Sequence, residues 1–259
     1  MNKESNIYTF TFAIIMVLVV GVLLAVTSEV LQPRKKQNKA DKKMIDILSA
    51  IGVDATRANA KEKYAEYIYD AIIINNNGDV IEGSAFNIDV LFQYRDKTLS
   101  PEDKQYPMFK ARKDNNEYSI IPMVGSGLWG PIWGFVSLES DYNTIYGAAF
   151  NHKAETPGLG AEINTDIFED PFKGKKIINN DGEFVSIQVK KGGAEEGSFF
   201  QVDGITGGTI TSDGVTDMLY NTLKVYNTYF SSINMDNIDT LNINNNADTL
   251  SINNNVEVK

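Results

Sequence analysis

One segment near the end of the chain reads Asp203-Gly204-Ile205-Thr206-Gly207-Gly208-Thr209-Ile210-Thr211-Ser212 and combines glycines with hydroxyl side chains. Its glycines suit a turn, because glycine adopts backbone angles that other residues avoid. Ser212 and Asp213 then resemble the start of a helix. Apolar residues follow at helical spacing, namely Val215, Met218, Leu219, Leu223, Tyr226 and Phe230. The segment therefore predicts a glycine-rich turn that leads into an amphipathic helix.

A turn of this kind, placed before a helix, is suited to binding an anion. The first N–H groups of a helix lack partners within the helix, and they favour a phosphate together with the helix dipole. Thr206, Thr209 and Thr211 add hydroxyl groups to the same place. Glycine-rich turns before helices are also common without any ligand. The residues alone therefore leave both a phosphate site and a plain structural turn open.

Composition excludes several classes of function. The chain has 259 residues and a formal net charge of −10, which argues against nucleic acid as a partner because phosphate binding needs clustered basic residues. It contains no cysteine and a single histidine, His152, which rules out disulfides, cysteine-held iron–sulfur clusters and sites with several histidines. We therefore expect no metal site, and any redox chemistry would need a bound organic cofactor.

The N-terminal part of the chain predicts a membrane anchor. Residues 5–28 carry no charge, and Phe10 to Val26 are dense in Ile, Val and Leu. About 20 residues span a bilayer core as a helix, whereas the apolar part of a signal peptide has ~7–15 residues and precedes a small-residue cleavage site. Residues 1–30 are therefore predicted to be a retained, single transmembrane anchor.

Charge around the anchor bears on its orientation. Lys3 precedes it, and six basic residues follow it: Arg34, Lys35, Lys36, Lys39, Lys42 and Lys43. The positive-inside rule taken alone would place the large domain in the cytoplasm.

The rest of the chain predicts one α+β domain. Residues 31–70 form a helical linker region, in which a short helix with Met44 and Ile47 is closed by Gly52. Strands are expected from Ala71 onward, including one in which apolar residues alternate from Phe86 to Phe92, and a hairpin over 175–189. The domain extends over 71–230. The Asn-rich segment 231–259 is expected to be a flexible tail or a loosely attached strand.

Two further segments are candidates for a binding site. Gly125 to Phe135 holds both tryptophans, and either a core role or an apolar wall beside a flat ring fits them, with the core role favoured for Trp133. The loop after His152 contains Glu155 and Thr156, followed by a rigid Pro157–Gly160 turn. These two polar side chains are positioned to bind the polar edge of a ring.

The Asp203–Thr209 segment resembles a known flavinylation motif, Asp-x-x-(Ser/Thr)-Gly-Ala-Thr, of proteins that carry FMN as a phosphoester on threonine. Here Gly208 stands where alanine is usual. The resemblance implies that Thr209 carries the FMN, with Thr211 as the second hydroxyl to test. Together with Gly127–Gly134, Glu155–Gly160 and the anchor, the motif makes residues 1–230 similar to the NqrC family, which belongs to the sodium-translocating NADH:quinone oxidoreductase (Nqr).

The resemblance implies an oxidoreductase subunit with a covalent FMN-binding domain over 71–230, held by one helix in the bacterial inner membrane, on its periplasmic side. It would relay electrons from NADH to quinone in a complex that pumps Na⁺, without binding NADH itself. Its partners would be the other Nqr subunits and the membrane, and a separate flavin transferase would attach the FMN. The residues implied around FMN are Thr209, Thr206, Gly207, Gly208, Thr211, Glu155, Thr156, Leu159 and Trp129.

Two alternatives remain open. The G subunit of the Rnf complex shares the flavin motif and the anchor. A membrane-anchored surface binding module without a cofactor is the alternative from another class, and the Asn-rich segment is the feature that favours it.

Overall fold

The fold is α+β, as predicted, in a computed structural model that describes residues 6–253 of the chain, with side-chain surroundings up to residue 233. The helices are α1 (Asn6–Ser49), α2 (Ala60–Tyr67), α3 (Val90–Arg95), α4 (Asp166–Glu169) and α5 (Thr209–Asn253). The strands are β1 (Ile68–Ile74), β2 (Val80–Ile81), β3 (Tyr106–Lys113), β4 (Asn116–Ser126), β5 (Pro131–Leu138), β6 (Ile145–His152), β7 (Gln188–Lys190) and β8 (Gln201–Asp203). Short 3₁₀ helices cover Ala85–Asn87, Pro101–Asp103, Gly160–Asn164 and Asp170–Phe172.

Helix α1 contains residues 6–30 of the predicted anchor and continues to Ser49. Its most apolar 18-residue window has a mean hydropathy of 2.8 and is not buried against the rest of the described chain. Pro33 removes one helical hydrogen bond without ending the helix. The helix that we expected around Met44 is therefore the last part of α1, and the chain turns away at Gly52, which has φ +63°.

A six-stranded antiparallel sheet forms the centre of the domain, in the order β2-β1-β3-β4-β5-β6. Helix α5 packs on one face through residues such as Leu219 and Leu223. The end of α1 and helix α2 cover the other face, where Ile47 and Leu48 meet Phe109. Both faces of the central strand β4 are thus covered, and Tyr118 to Met123 are buried at every position.

Several local predictions were wrong. The alternating residues around Ile88 form a 3₁₀ helix and helix α3 instead of a strand, because the Asp89 side chain accepts the Phe92 N–H at 3.1 Å and caps a helix there. The hairpin expected over 175–189 turns at Asn179 but is reduced to a single bridge between Ile178 and Phe184. Strand β1 begins at Ile68, earlier than predicted.

Both ends of helix α5 also differ from the prediction. It begins at Thr209 instead of Ser212 and continues as a helix to Asn253. The segment expected to be a tail or strand is therefore helical over 231–253, and residues 254–259 lie outside the described part of the chain.

Candidate functional site

Three segments meet at the N-terminus of α5. The first is the turn between β4 and β5, which the Gly127 N–H closes by donating to the Gly130 carbonyl at 2.8 Å. The second is the loop after β6, from Glu155 to Gly160. The third is the Asp203–Ser212 segment. Distant parts of the sequence thus come together at one helix end.

The Glu155 carboxylate joins these three segments. Its Oε1 accepts a hydrogen bond from the backbone N–H of Trp129 at 2.8 Å, and its Oε2 accepts one from the Thr211 hydroxyl at 2.6 Å. The side chain is only 5% exposed. The prediction had assigned Glu155 to the edge of a ligand ring, but the structure uses both of its oxygens within the protein. Glu155 therefore positions the surrounding loops.

Two glycines leave room for this carboxylate. A Cβ added to Gly127 would lie 2.6 Å from Glu155 Oε1, and one added to Gly160 would lie 2.5 Å from Glu155 Oε2. Real Cβ atoms do not approach other atoms so closely, because the interior is already close-packed. Gly127 and Gly160 are therefore needed for packing as well as for turning the chain.

The N-terminus of α5 is built by the glycine-rich turn. Gly207 adopts φ +77°, a conformation that favours glycine. The Ser212 N–H donates to the Gly208 carbonyl at 2.9 Å, and the Ser212 hydroxyl accepts the Ile205 N–H at 3.1 Å. Ser212 thus lies inside the first turn instead of preceding it. In a helix that begins at Thr209, the N–H groups of Thr209, Ile210 and Thr211 have no acceptor within the helix.

The three candidate threonines differ in their surroundings. Thr206 is exposed in the turn, and Thr209 is partly exposed at the first position of the helix. Thr211 is 1% exposed, and its hydroxyl donates to Glu155. A bulky group on Thr211 would have to break this buried contact, so Thr211 fits the role of an attachment site poorly.

Exposed apolar side chains come from the same three segments. Trp129 is 65% exposed, Leu159 40% and Ile210 57%, and Leu128 is exposed as well. Leu159 reaches the glycine turn, since a Cβ on Gly207 would lie 2.6 Å from Leu159 Cδ2. Apolar side chains grouped on a surface often mark a binding site. Leu128 and Ile210 were missed from the sequence, although each is adjacent to a residue that was predicted.

The remaining predicted residues are also accounted for. Thr156 has an exposed side chain, and its carbonyl accepts the N–H groups of Leu159 and Ala161, both at 3.1 Å. Asp203 at the start of the motif accepts the Ala194 N–H at 2.7 Å and so holds the preceding loop. Trp133 lies apart from Trp129, on strand β5, and is half-buried.

None of the nine predicted residues lines the cavity of about 430 Å³ that lies between α3, β4 and α5. Tyr94 and Met218 are among the residues that border this cavity. The candidate site is instead an open surface at the end of α5. Such a surface would hold a ligand weakly unless the ligand were attached covalently.

One carboxyl group away from this site has an unusual acidity. Burial raises the pKa of Glu169 to about 7, and the neighbouring Asp166 and Asp170 also raise it. Its Oε1 accepts the Phe150 N–H at 2.6 Å, which opposes the shift. Glu169 borders a smaller cavity of about 130 Å³ with Trp133 and the end of α1.

Comparison with known proteins extends over most of the chain. The family described as "FMN-binding domain" matches residues 127–224, which include all three segments of the site. The NqrC protein of the Na⁺-translocating NADH-quinone reductase of Vibrio alginolyticus is 33% identical over 228 residues, covering 83% of this chain and 89% of the relative. The corresponding protein of Pseudomonas aeruginosa is 29% identical over 85% of this chain and 92% of the relative.

Solved structures agree with these relatives. The crystal structure of the corresponding protein from Parabacteroides distasonis is 46% identical, with a TM-score of 0.70, and the match covers 77% of this chain and 96% of that one. The NqrC structure of Shewanella oneidensis is 25% identical, with a TM-score of 0.66, over 76% of this chain and 99% of that one. The chain therefore belongs to the NqrC family of the Na⁺-translocating NADH-quinone reductase.

Proposed function

We propose that this chain is an electron-carrying subunit of the Na⁺-translocating NADH-quinone reductase and holds FMN as a phosphoester on Thr209. Family membership supports the electron-carrying role, and the matching FMN-binding domain supports the cofactor. The observation that carries the attachment site is the position of Thr209. It is the first residue of α5, partly exposed, directly after the glycines of the motif.

The residues present fit FMN in both of its parts. A phosphate on Thr209 would lie at the helix end, where unpaired N–H groups and the helix dipole favour an anion. Gly207 and Gly208 have no side chains to block it, and the exposed Thr206 hydroxyl adds a donor. The exposed side chains of Trp129 and Leu159 offer apolar contact for the isoalloxazine ring.

Other residues act by holding this arrangement. Glu155 and Thr211 fix the tryptophan turn and the Leu159 loop to the first turn of α5. Thr156 closes the Leu159 loop through its carbonyl and presents its side chain to solvent. Bound FMN supplies the ability to accept and release electrons. An open site keeps the ring near the surface, where a partner protein can approach it closely.

The remaining assignments are part of the same proposal. The protein is anchored by residues 1–30 as a single-pass protein of the bacterial inner membrane, with residues 31–70 as a helical connection, the flavin domain over 71–230 and the Asn-rich segment over 231–259. We place the domain on the periplasmic side on the basis of the family resemblance, against the positive-inside rule. The other subunits of the complex are its partners, and a flavin transferase is needed for its maturation.

The two alternatives are less well supported. The relatives with 29–33% identity are named as NADH-quinone reductase proteins, which favours that complex over the Rnf complex. The match to the FMN-binding domain disfavours a binding module without a cofactor.

The test is the fluorescence of the protein band on a denaturing gel under ultraviolet light. The full chain is co-expressed with a flavin transferase as wild type, Thr209→Val and Thr228→Val, which changes an exposed threonine of α5 outside the motif. We expect fluorescent bands for wild type and Thr228→Val and a dark band for Thr209→Val, because only a covalent flavin survives denaturation. A dark wild-type band would refute covalent attachment, and a fluorescent Thr209→Val band would move it to another residue.

A further inference from the structure

The basic residues that follow the uncharged segment 5–28 fall into two groups along α1. The three residues that are farther from this segment are engaged by the folded domain or by the helix itself. Their partners are Asp89 for Lys39 at 2.7 Å, Asp46 for Lys42 at 3.1 Å, and the carbonyls of Phe86 and Ile88 for Lys43 at 2.7 and 2.8 Å. These contacts account for half of the positive charge on this part of α1.

The three nearer residues, Arg34, Lys35 and Lys36, have a different environment. All three are exposed. Over residues 6–233, whose side chains the structure describes, none of them forms an ion pair or a side-chain hydrogen bond with another residue. Three adjacent, like-charged side chains repel one another, so they need an anionic partner or water to balance them.

The position of these residues along the helix places them near a membrane surface. Because α1 is continuous from Asn6 to Ser49, each residue advances the helix by ~1.5 Å. Arg34 to Lys36 therefore lie roughly 9–12 Å beyond Ser28, and the headgroup layer of a bilayer is roughly 5–8 Å thick on each side. Helical side chains lean toward the helix N-terminus, which here is the membrane side. The long, flexible aliphatic chains of Arg34, Lys35 and Lys36 let the charged ends reach the lipid headgroups.

The directions of the side chains distinguish lipid from a protein partner. Successive residues of a helix are rotated by about 100°, so Arg34, Lys35 and Lys36 fan out over about 200° around the axis. A protein docked on one side of α1 would meet only part of this fan. Lipid headgroups surround a membrane helix and can reach all three charges.

We propose that Arg34, Lys35 and Lys36 form a cationic collar that binds the phosphate groups of anionic phospholipids where α1 leaves the bilayer. This inference rests on the membrane anchor of the proposed function, and it is independent of the flavin. Basic residues next to a membrane span favour anionic lipid surfaces through electrostatic attraction. The collar would fix the height of α1 in the membrane, and with it the distance of the domain from the surface.

The experiment measures the lipid preference of the full chain in bilayers. Wild type is reconstituted into phosphatidylcholine vesicles, insertion is checked by flotation, and electron paramagnetic resonance compares spin-labelled phosphatidylglycerol with spin-labelled phosphatidylcholine. The test variant is Arg34→Gln/Lys35→Gln/Lys36→Gln. The control, Lys61→Gln/Lys97→Gln/Lys191→Gln, removes the same charge from exposed positions outside α1.

We expect wild type and the control to associate about fivefold more strongly with phosphatidylglycerol than with phosphatidylcholine. The ratio should fall toward one in the collar variant and in wild type at ~1 M salt, where the Debye length is about 3 Å. Equal ratios in wild type and the collar variant would overturn the collar. A wild-type ratio of one would also overturn the collar. A chain that does not float with vesicles would refute the anchor, and a floating chain without lipid preference would refute the collar alone.

Discussion

Removal of the Glu155 carboxylate should destabilise the domain by far more than the loss of a surface charge. Glu155→Ala leaves the Trp129 N–H and the buried Thr211 hydroxyl without their acceptor, in bonds that measure 2.8 and 2.6 Å. A hydrogen bond to a charged group contributes roughly 1.5–3 kcal/mol, so two such bonds contribute about 3–6 kcal/mol. Burying a charged carboxylate costs desolvation free energy, and the variant no longer has this cost, which offsets part of the sum. We expect the free energy of unfolding to fall by about 2–4 kcal/mol.

The measurement is urea denaturation of the full chain in detergent, followed by the fluorescence of Trp129 and Trp133. The matched control is Glu196→Ala, which removes an exposed carboxylate and should change stability by at most about 0.5 kcal/mol. Thr211→Val removes one of the two bonds. In a double-mutant cycle with Glu155→Ala it should give a coupling energy of about 1–2 kcal/mol. If Glu155→Ala is as stable as the control, or the coupling energy is zero, Glu155 does not hold the three segments together.

Two other predictions concern pH and packing. The pKa of Glu169 is about 7 in the folded protein, above its ordinary value, so the folded state binds this proton more tightly than the unfolded state does. Its contribution to stability is therefore present at low pH and lost as pH rises through about 7. In denaturation curves at several pH values, the free energy of unfolding should fall by about 1–2 kcal/mol between pH ~5 and ~8, a range that already allows for the partial exposure of Glu169. Glu169→Gln should remove this dependence on pH. Equal pH dependence of the two proteins would contradict the assignment. Gly160→Ala would place a Cβ 2.5 Å from Glu155 Oε2, whereas Gly130→Ala would meet nothing closer than 3.8 Å. Thermal unfolding should therefore show that Gly160→Ala lowers the stability of the fold by about 1–3 kcal/mol and that Gly130→Ala changes it little. Equal effects of the two substitutions would argue against tight packing at Gly160.

Local sequence patterns were reliable where one strong signal acted without competition. The uncharged segment 5–28 predicted a helix that could span a membrane, and α1 contains residues 6–28 of it. Glycines before an amphipathic pattern predicted the turn into α5, although the helix begins at Thr209. The alternation around Ile88 misled, because a short apolar period is a weak signal and the cap provided by Asp89 favours a helix. The length of α1 was also underestimated, since the anchor was expected to end at residue 30 but the helix continues through Pro33 to Ser49.

By itself, the sequence determined which chemical groups are available to the site: a glycine turn, threonine hydroxyls, a helix N-terminus and apolar side chains. These follow from residues close together in the chain. Only the tertiary structure decided their roles, because Glu155 meets Trp129 across 26 residues and Thr211 across 56. Those contacts depend on how the β4–β5 turn and the loop after β6 pack on α5. That packing buries Thr211, leaves Thr209 accessible, and turns a predicted ligand contact at Glu155 into the support of the site.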